Sequence, residues 1–358
     1  MGTALFEAWG RYMDSPRAIS EAMAPLGVRR NWVVAGDAAG LPEDVRMVRR
    51  HSPGHFRRLI TTDFLFTNDI VSRHWVSSGR VCYVQCWHGT PLKAIGFDDD
   101  REGYPGARAH ARRTRRDLAR WDYLISPAPI ITPILRSAFR YDGPVLETGS
   151  PRNDLLQDPG GVVRARLRRR LGLAEGQRAV LYAPTWRDDD TTPDGRLRQS
   201  VVPDWAAVAA ALPDTVFLFR AHKNVLAEAP SLPGIVDVSA VPDIAELYLA
   251  ADALISDYSS AVFDFAVTRK PILLYVPDLE HYRGRLRRLY FTYEEWAPGP
   301  ISTTTDELID HLREEELVVA RHRQRYAWFV STFCPFDDGN AAQRVLTALG
   351  LTRRPGSA

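Results

Sequence analysis

Cysteine is scarce in this chain. Only Cys82, Cys86 and Cys334 occur among 358 residues, too few for a disulfide framework, and the first two stand four apart inside an apolar run rather than as a CxxC pair. They read as small buried hydrophobes. Long apolar runs are missing as well. Nothing approaches the roughly 18 consecutive residues that span a bilayer, and the opening MGTALFEAWGRYMDSPRA lacks the basic-then-apolar pattern of a signal peptide, so a cytoplasmic protein is expected. Net charge is close to zero, +2 at pH 7, which argues against a dedicated nucleic-acid binder. Internal repeats and low-complexity linkers are absent, and only the tail TRRPGSA reads as disordered. Lysine is almost missing, since 43 of the 46 basic residues are arginine.

What is present reads as globular: 45% hydrophobic and 25% charged residues, in a chain longer than one core usually supports, so two domains are expected. Short apolar runs ending in Gly, Pro, Ser or Asp recur, each followed by a helical pattern: RLITTDFLFTND, RVCYVQCWHGT, YLISPAP, VLETGSPRN, AVLYAPTWRD, VFLFRAHKN, ALISDYSS and PILLYVPD. Strands alternating with helices predict α/β units with parallel sheets covered on both faces. The break between GSPRNDLL and AVLYAPT predicts a front domain over 1–160, a rear domain over 161–345 and a flexible tail over 346–358. Arginine clusters at Arg108–Arg120, Arg164–Arg170 and Arg283–Arg288 are either solvated helix faces or seats for an anionic membrane or a polyphosphate.

In parallel α/β architecture ligands collect where strands end and helices begin, and the polar motifs fall in those places. In QCWHGTPLKAIG, His88 follows a strand and precedes Gly89, Thr90 and Pro91, on a tight turn with Lys93 beyond it. An imidazole there takes a proton from an alcohol near neutral pH, or it caps a strand-end carbonyl. GSPRNDLL starts a helix at Ser150 and Pro151 and presents Arg152 and Asn153 beside free backbone N–H groups. YAPTWRDD brings Thr185, Trp186 and Arg187 to a sheet edge, where an indole packs on a base or sugar and a guanidinium forks onto phosphate. Its aspartates are not read as a metal site, because hard cations need several converging oxygens. FRAHKN places Arg220, His222 and Lys223 after a strand as a cradle for a diphosphate, or as ordinary surface residues. SDYSSAVFDFA ends a strand at Ser256 and Asp257 and opens a helix with Ser259 and Ser260, a combination suited to phosphate. The Gly-rich frame of a Walker loop is absent.

Taken in order, WHGTPLK, GSPRND, YAPTWRD, the Arg-x-His of FRAHKN, SDYSSAVFDFA, KPILLY and LYFTYEEWAPGP resemble the motif series of CDP-glycerol glycerophosphotransferases of teichoic-acid synthesis. FEAWGRYMDSPRAI and FLFTNDIVSRHW resemble that family too, so the likeness covers roughly residues 6–345. It implies a GT-B fold, two Rossmann-like domains facing across a cleft. The implied reaction is attack by an acceptor hydroxyl on the donor phosphorus that bears the glycerol, releasing CMP, with no cofactor and no metal. His88, with His222, is implied in catalysis. Arg152, Thr185, Arg187, Arg220, Lys223, Asp257, Ser259 and Ser260 are implied on the donor side, and Gly89, Thr90 and Lys93 on the acceptor side. The implied partners are CDP-glycerol or CDP-ribitol and a phosphate-rich polymer or lipid-linked acceptor, with an anionic membrane surface met through the arginine faces. One departure is Lys223, where the family often has Pro. Two rival functions stay open: a nucleotide-sugar glycosyltransferase of the same fold, needing the same diphosphate cradle, and an inactive polymer-binding subunit.

Overall fold

The computed structural model describes residues 2–36, 40–71, 79–99, 107–158, 160–221, 225 and 229–352, with the backbone alone for 107–111. The chain forms two compact units. The first comprises residues 1–89, 95–157 and 335–358, the second 90–94 and 158–334.

In the first unit, β1 (Thr3–Glu7), β2 (Arg29–Val34), β3 (Arg46–Arg49), β4 (Phe64–Thr67), β5 (Cys82–Gln85), β6 (Tyr123–Ser126) and β7 (Val145–Glu147) form one sheet in the order β3-β2-β1-β4-β5-β6-β7. Every neighbouring pair is parallel. Helices α1 (Asp14–Met23), α2 (Pro53–Thr61), α3 (Ala107–Leu118) and α4 (Thr132–Phe139) connect them. The central strand β1 is buried along its whole length, as expected of a parallel strand covered on both faces. Phe6 stacks on Trp32 at 5.6 Å and on Phe66 at 5.2 Å, and Ala342, Val345 and Leu346 of a closing helix, Ala341–Ala348, join that core.

The second unit repeats the plan. β8 (Arg178–Tyr182), β9 (Thr215–Phe219), β10 (Ile235–Asp237), β11 (Ala253–Ser256), β12 (Ile272–Tyr275) and β13 (Ile301–Ser302) run parallel in the order β10-β9-β8-β11-β12-β13. Helices α5 (Val162–Arg170), α6 (Trp205–Ala211), α7 (Ile244–Ala250) and α8 (Ala261–Ala266) belong to it. Its core gathers Val180, Phe217, Ile255, Leu273, Leu308 and Leu312.

The observed division differs from the expected one at the C-terminus. Residues 335–352 return to the first unit instead of closing the second. The attachment is specific: Asp154 accepts the Ala341 and Ala342 N–H groups at 3.0 and 2.8 Å and so caps the closing helix, while Asp337 accepts the Ser150 N–H at 2.8 Å. Residues 346–348, expected in a tail, are helical, and the last residues of that expectation, 353–358, lie outside the described set.

Candidate active site

On the first unit, the strand order reverses between β1 and β4, and β5 lies beside β4. Loops from these carboxyl ends converge at such an edge. Gln85, fully buried at the end of β5, accepts the Trp87 N–H at 2.9 Å and donates to the Asp69 carbonyl at 3.1 Å. Beyond this clamp Trp87 takes φ +52° and Gly89 φ +152°. That left-handed turn carries His88 out of line with the strand.

His88 is half-buried between two indoles, its ring 4.0 Å from Trp87 and 5.1 Å from Trp9. Its Nδ1 lies 2.7 Å from the Asn68 carbonyl. A carbonyl only accepts, so Nδ1 carries the proton and Nε2 keeps its lone pair. Burial holds the imidazole below its ordinary pKa, opposed by the Asn68 carbonyl and by Asp69 and Asp14. Of the two sequence readings of this histidine, the cap on a carbonyl is seen at Nδ1, and that contact leaves Nε2 as the nitrogen that the other reading needs.

Arg152, expected among donor contacts, belongs to the first unit, where its Nη1 donates to the His88 carbonyl at 2.6 Å. Ser15, Trp87, Gly89, Ser150 and Arg152 line a cavity of about 20 Å³ here, room for little more than a water molecule. The rest of GSPRND is structural. Gly149 takes φ +85°, and a Cβ there would stand 2.6 Å from the Phe336 carbonyl oxygen of the returning chain.

The second unit's edge is built from the ends of β8, β9, β11 and β12. Sequence reasoning puts the Arg187 guanidinium on a phosphate, but the structure buries it. It meets Asp278 in a two-point fork at 2.6 and 3.0 Å and Asp257 at 2.8 Å, and lies 4.8 Å from the ring centre of Tyr258. Asp257 is likewise taken up, accepting the Thr185 N–H at 2.8 Å. Tyr258 donates to Asp278 at 3.0 Å and Tyr293 to the Asp257 carbonyl at 2.9 Å. Arg187, Asp257 and Thr185 thus brace the edge from within. A guanidinium saturated by the buried Asp257 and the half-buried Asp278 has little left to offer a ligand.

Half-buried Ser259 and Ser260 stand above this brace, before α8. The Ser259 hydroxyl accepts the Ala261 N–H at 3.2 Å, and Ser260 makes no side-chain cap. Arg220, half-buried at the end of β9, donates to the Val241 carbonyl at 2.7 Å. His222 and Lys223 lie outside the described residues.

Lys93 is expected on the acceptor side, yet it and Thr90 count with the second unit. The reason is a backbone bridge between Lys93 and Leu289, flanked by hydrogen bonds from Ala94 to Arg288 and from Tyr290 to Leu92. The Lys93 ammonium sits 5.6 Å from the Trp186 ring centre, and burial together with Arg287 lowers its pKa to about 8. The aspartate run after Trp186 is taken up by ion pairs of Asp188 with Arg287 and Asp190 with Arg198 and by a hydrogen bond between Asp189 and His281.

The arginine clusters divide in the same way. Arg164 and Arg168 bind backbone carbonyls at the end of α7, and Arg283 pairs with Glu280 and Glu294. Arg112, Arg113, Arg115 and Arg116 of α3 are exposed. Among the described residues, no helix is long and apolar enough to cross a membrane.

Sequence reasoning assigned no role to Trp9, Asp14 and Asn68 in the first unit, or to Asp278, Tyr258, Tyr282 and Tyr293 in the second. The signal nearest any of them is the glycine after Trp9, Gly10 at φ +74°. Trp9 and Asp14 take positive φ, +47° and +66°, which residue type alone does not announce.

Two parallel sheets, each gathering polar loops at its carboxyl edge, define an α/β protein of the GT-B class. Residues 1–350 match the model of the CDP-Glycerol:Poly(glycerophosphate) glycerophosphotransferase family, and the chain belongs to that family. It is 35% identical over 314 residues to a teichoic acid poly(glycerol phosphate) polymerase of Bacillus spizizenii, covering 86% of this chain and 79% of the relative. It is 33% identical to a teichoic acid glycerol-phosphate transferase of Staphylococcus aureus, covering 94% of this chain and 89% of the relative. Some relatives are longer, and the chain spans 48% of the Bacillus subtilis polymerase it matches. A solved structure of the wall teichoic acid polymerase TagF superposes with a TM-score of 0.89 at 32% identity, over 98% of this chain and 89% of the other.

Proposed function

We propose that this chain transfers glycerol phosphate, or a related polyol phosphate, from a CDP-linked donor to a hydroxyl of a teichoic-acid-like polymer. The acceptor oxygen attacks the phosphorus that bears the polyol, its proton passes to Nε2 of His88, and the bond to the CMP oxygen breaks. Phosphoryl transfer asks mainly for positioning and charge stabilisation. Arg220, His222, Lys223, Ser259 and Ser260 form the diphosphate seat, Arg152 steadies the His88 turn, and Gly89 leaves space for the acceptor. The observation that carries this reading is the His88 tautomer, with Nδ1–H tied to a carbonyl at 2.7 Å and Nε2 left basic.

Family membership supports a CDP-polyol donor and a polymeric acceptor. We place the protein in the cytoplasm, where a soluble nucleotide donor is made, with the exposed arginines of α3 turned toward a lipid-linked acceptor or an anionic membrane surface.

His88→Ala is expected to lower acceptor-dependent CMP release at least a hundredfold, roughly the worth of a positioned base, with CDP-glycerol affinity nearly unchanged. Turnover near the wild-type rate would refute the base assignment. CDP-glycerol, CDP-ribitol and UDP-sugars offered in parallel, with products read by mass spectrometry, test the donor class, and sugar transfer would overturn the reading.

A further inference from the structure

Two stretches that the proposed chemistry leaves without a role, FEAWGRYMDSPRAI from the end of β1 into α1 and FLFTND at the end of β4, meet at His88. From the first, Trp9 lies against the imidazole at 5.1 Å. From the second, Asn68 offers the carbonyl that holds Nδ1 at 2.7 Å. Asn68 is itself held. It is fully buried, and its Nδ2 donates to Oδ2 of Asp14 at 2.9 Å. Asp14 is 6% exposed, and its other oxygen accepts the Ser15 N–H at 2.6 Å. The same Oδ2 lies 3.8 Å from Nη1 of Arg152, the nitrogen that donates to the His88 carbonyl.

One carboxylate therefore faces both supports of the histidine: the asparagine that orients its ring and the arginine that holds its backbone. Asp14 occupies this place at φ +66°, a conformation that costs a non-glycine residue on the order of 1 kcal/mol. Starting α1 accounts for the bond to Ser15. It does not account for the buried bond to Asn68.

We propose that Asp14, acting through Asn68 and beside Arg152, is a positioning residue that sets the orientation and basicity of His88. This inference rests on His88 being the base. The charged groups facing the imidazole are Asp14 from the start of α1, Asp69 from the loop after β4 and Arg152, and the two carboxylates both favour the protonated ring. Removing the charge of Asp14 makes the imidazole a weaker base and moves its titration to lower pH.

Asp14→Asn keeps the size of the side chain and an acceptor for Ser15. In the full-length enzyme it is expected to lower kcat about tenfold or more, to leave KM for CDP-glycerol within about twofold, and to shift the acid limb of the pH–kcat/KM profile downward. Asn68→Ala breaks the same link without touching the start of α1, so it also lowers kcat. The losses in the double variant are expected to be less than multiplicative, as for residues acting through one contact. An unmoved acid limb, a kcat near wild type in Asn68→Ala, or fully multiplicative losses would each overturn the proposal. His88→Ala, measured alongside, separates the cases: turnover surviving there removes the base itself, whereas a dead His88→Ala with an unmoved limb in Asp14→Asn removes only the role of Asp14.

Discussion

The neighbours of His88 set its ring and its tautomer. The Asn68 carbonyl selects the tautomer, burial disfavours the charged ring, and a left-handed Trp87 points it away from the strand. The motif WHGTPLK announced that residue but not its setting, since carbonyl partners and φ angles arise from loops distant in sequence. Arg187 shows the opposite outcome. A strand-end arginine after Trp reads as a phosphate fork, and only the fold reveals Asp278, 91 residues away, as its partner. Replacing it with lysine gives up the two-point geometry and leaves buried carboxylate oxygens short of donors. Arg187→Lys is expected to destabilise the second unit by about 3 kcal/mol, seen as a lower urea midpoint even without donor. A weaker CDP-glycerol affinity at unchanged stability would return Arg187 to the ligand side.

At the scale of elements, the strands that carry motifs were legible: β4, β5, β6, β7, β8, β9, β11 and β12 all fall within apolar runs that end in turn residues. β1, β2, β3, β10 and β13 were not. β3 reads RMVR and β13 is two residues long, too polar or too short for a periodic signal. The basic helix α5 illustrates how charge misleads. Its arginines resemble a docking face, yet the end of α7 needs them: Lys270 donates to the Tyr248, Leu249 and Ala251 carbonyls at 3.0, 2.9 and 2.6 Å, with Arg164 and Arg168 beside it. Cations belong at a helix C-terminus, where carbonyls lack partners and the dipole is negative. Desolvation lowers the Lys270 pKa to about 7, so the arrangement is costly to build and costly to break. Lys270→Met is expected to lower stability by about 2 kcal/mol in calorimetry; an unchanged transition would show that water replaces the ammonium without loss.

Over the whole molecule, composition and alternation gave the class, two parallel α/β units, but not the path of the chain between them. Nothing local marks Pro335 as the point of return, because the decisive contacts join Asp154 to Ala341 and Ala342 across 187 and 188 residues. Leu346, fully buried in the first unit's core, tests the assignment. Leu346→Asp places a charge in that core and is expected to unfold the first unit at lower temperature while leaving the second unit's transition in place, as read by hydrogen exchange on each unit. Loss of protection in the second unit instead would contradict it.

The backbone passes from one unit to the other after Gly89, Ala94, Gln157 and Cys334. Recombination among relatives is constrained accordingly. A hybrid spliced once near residue 157 would inherit its first sheet from one parent and that sheet's final helix from the other, so the second unit can be exchanged cleanly only by swapping 158–334 as an internal cassette, with the short 90–94 segment matched to it.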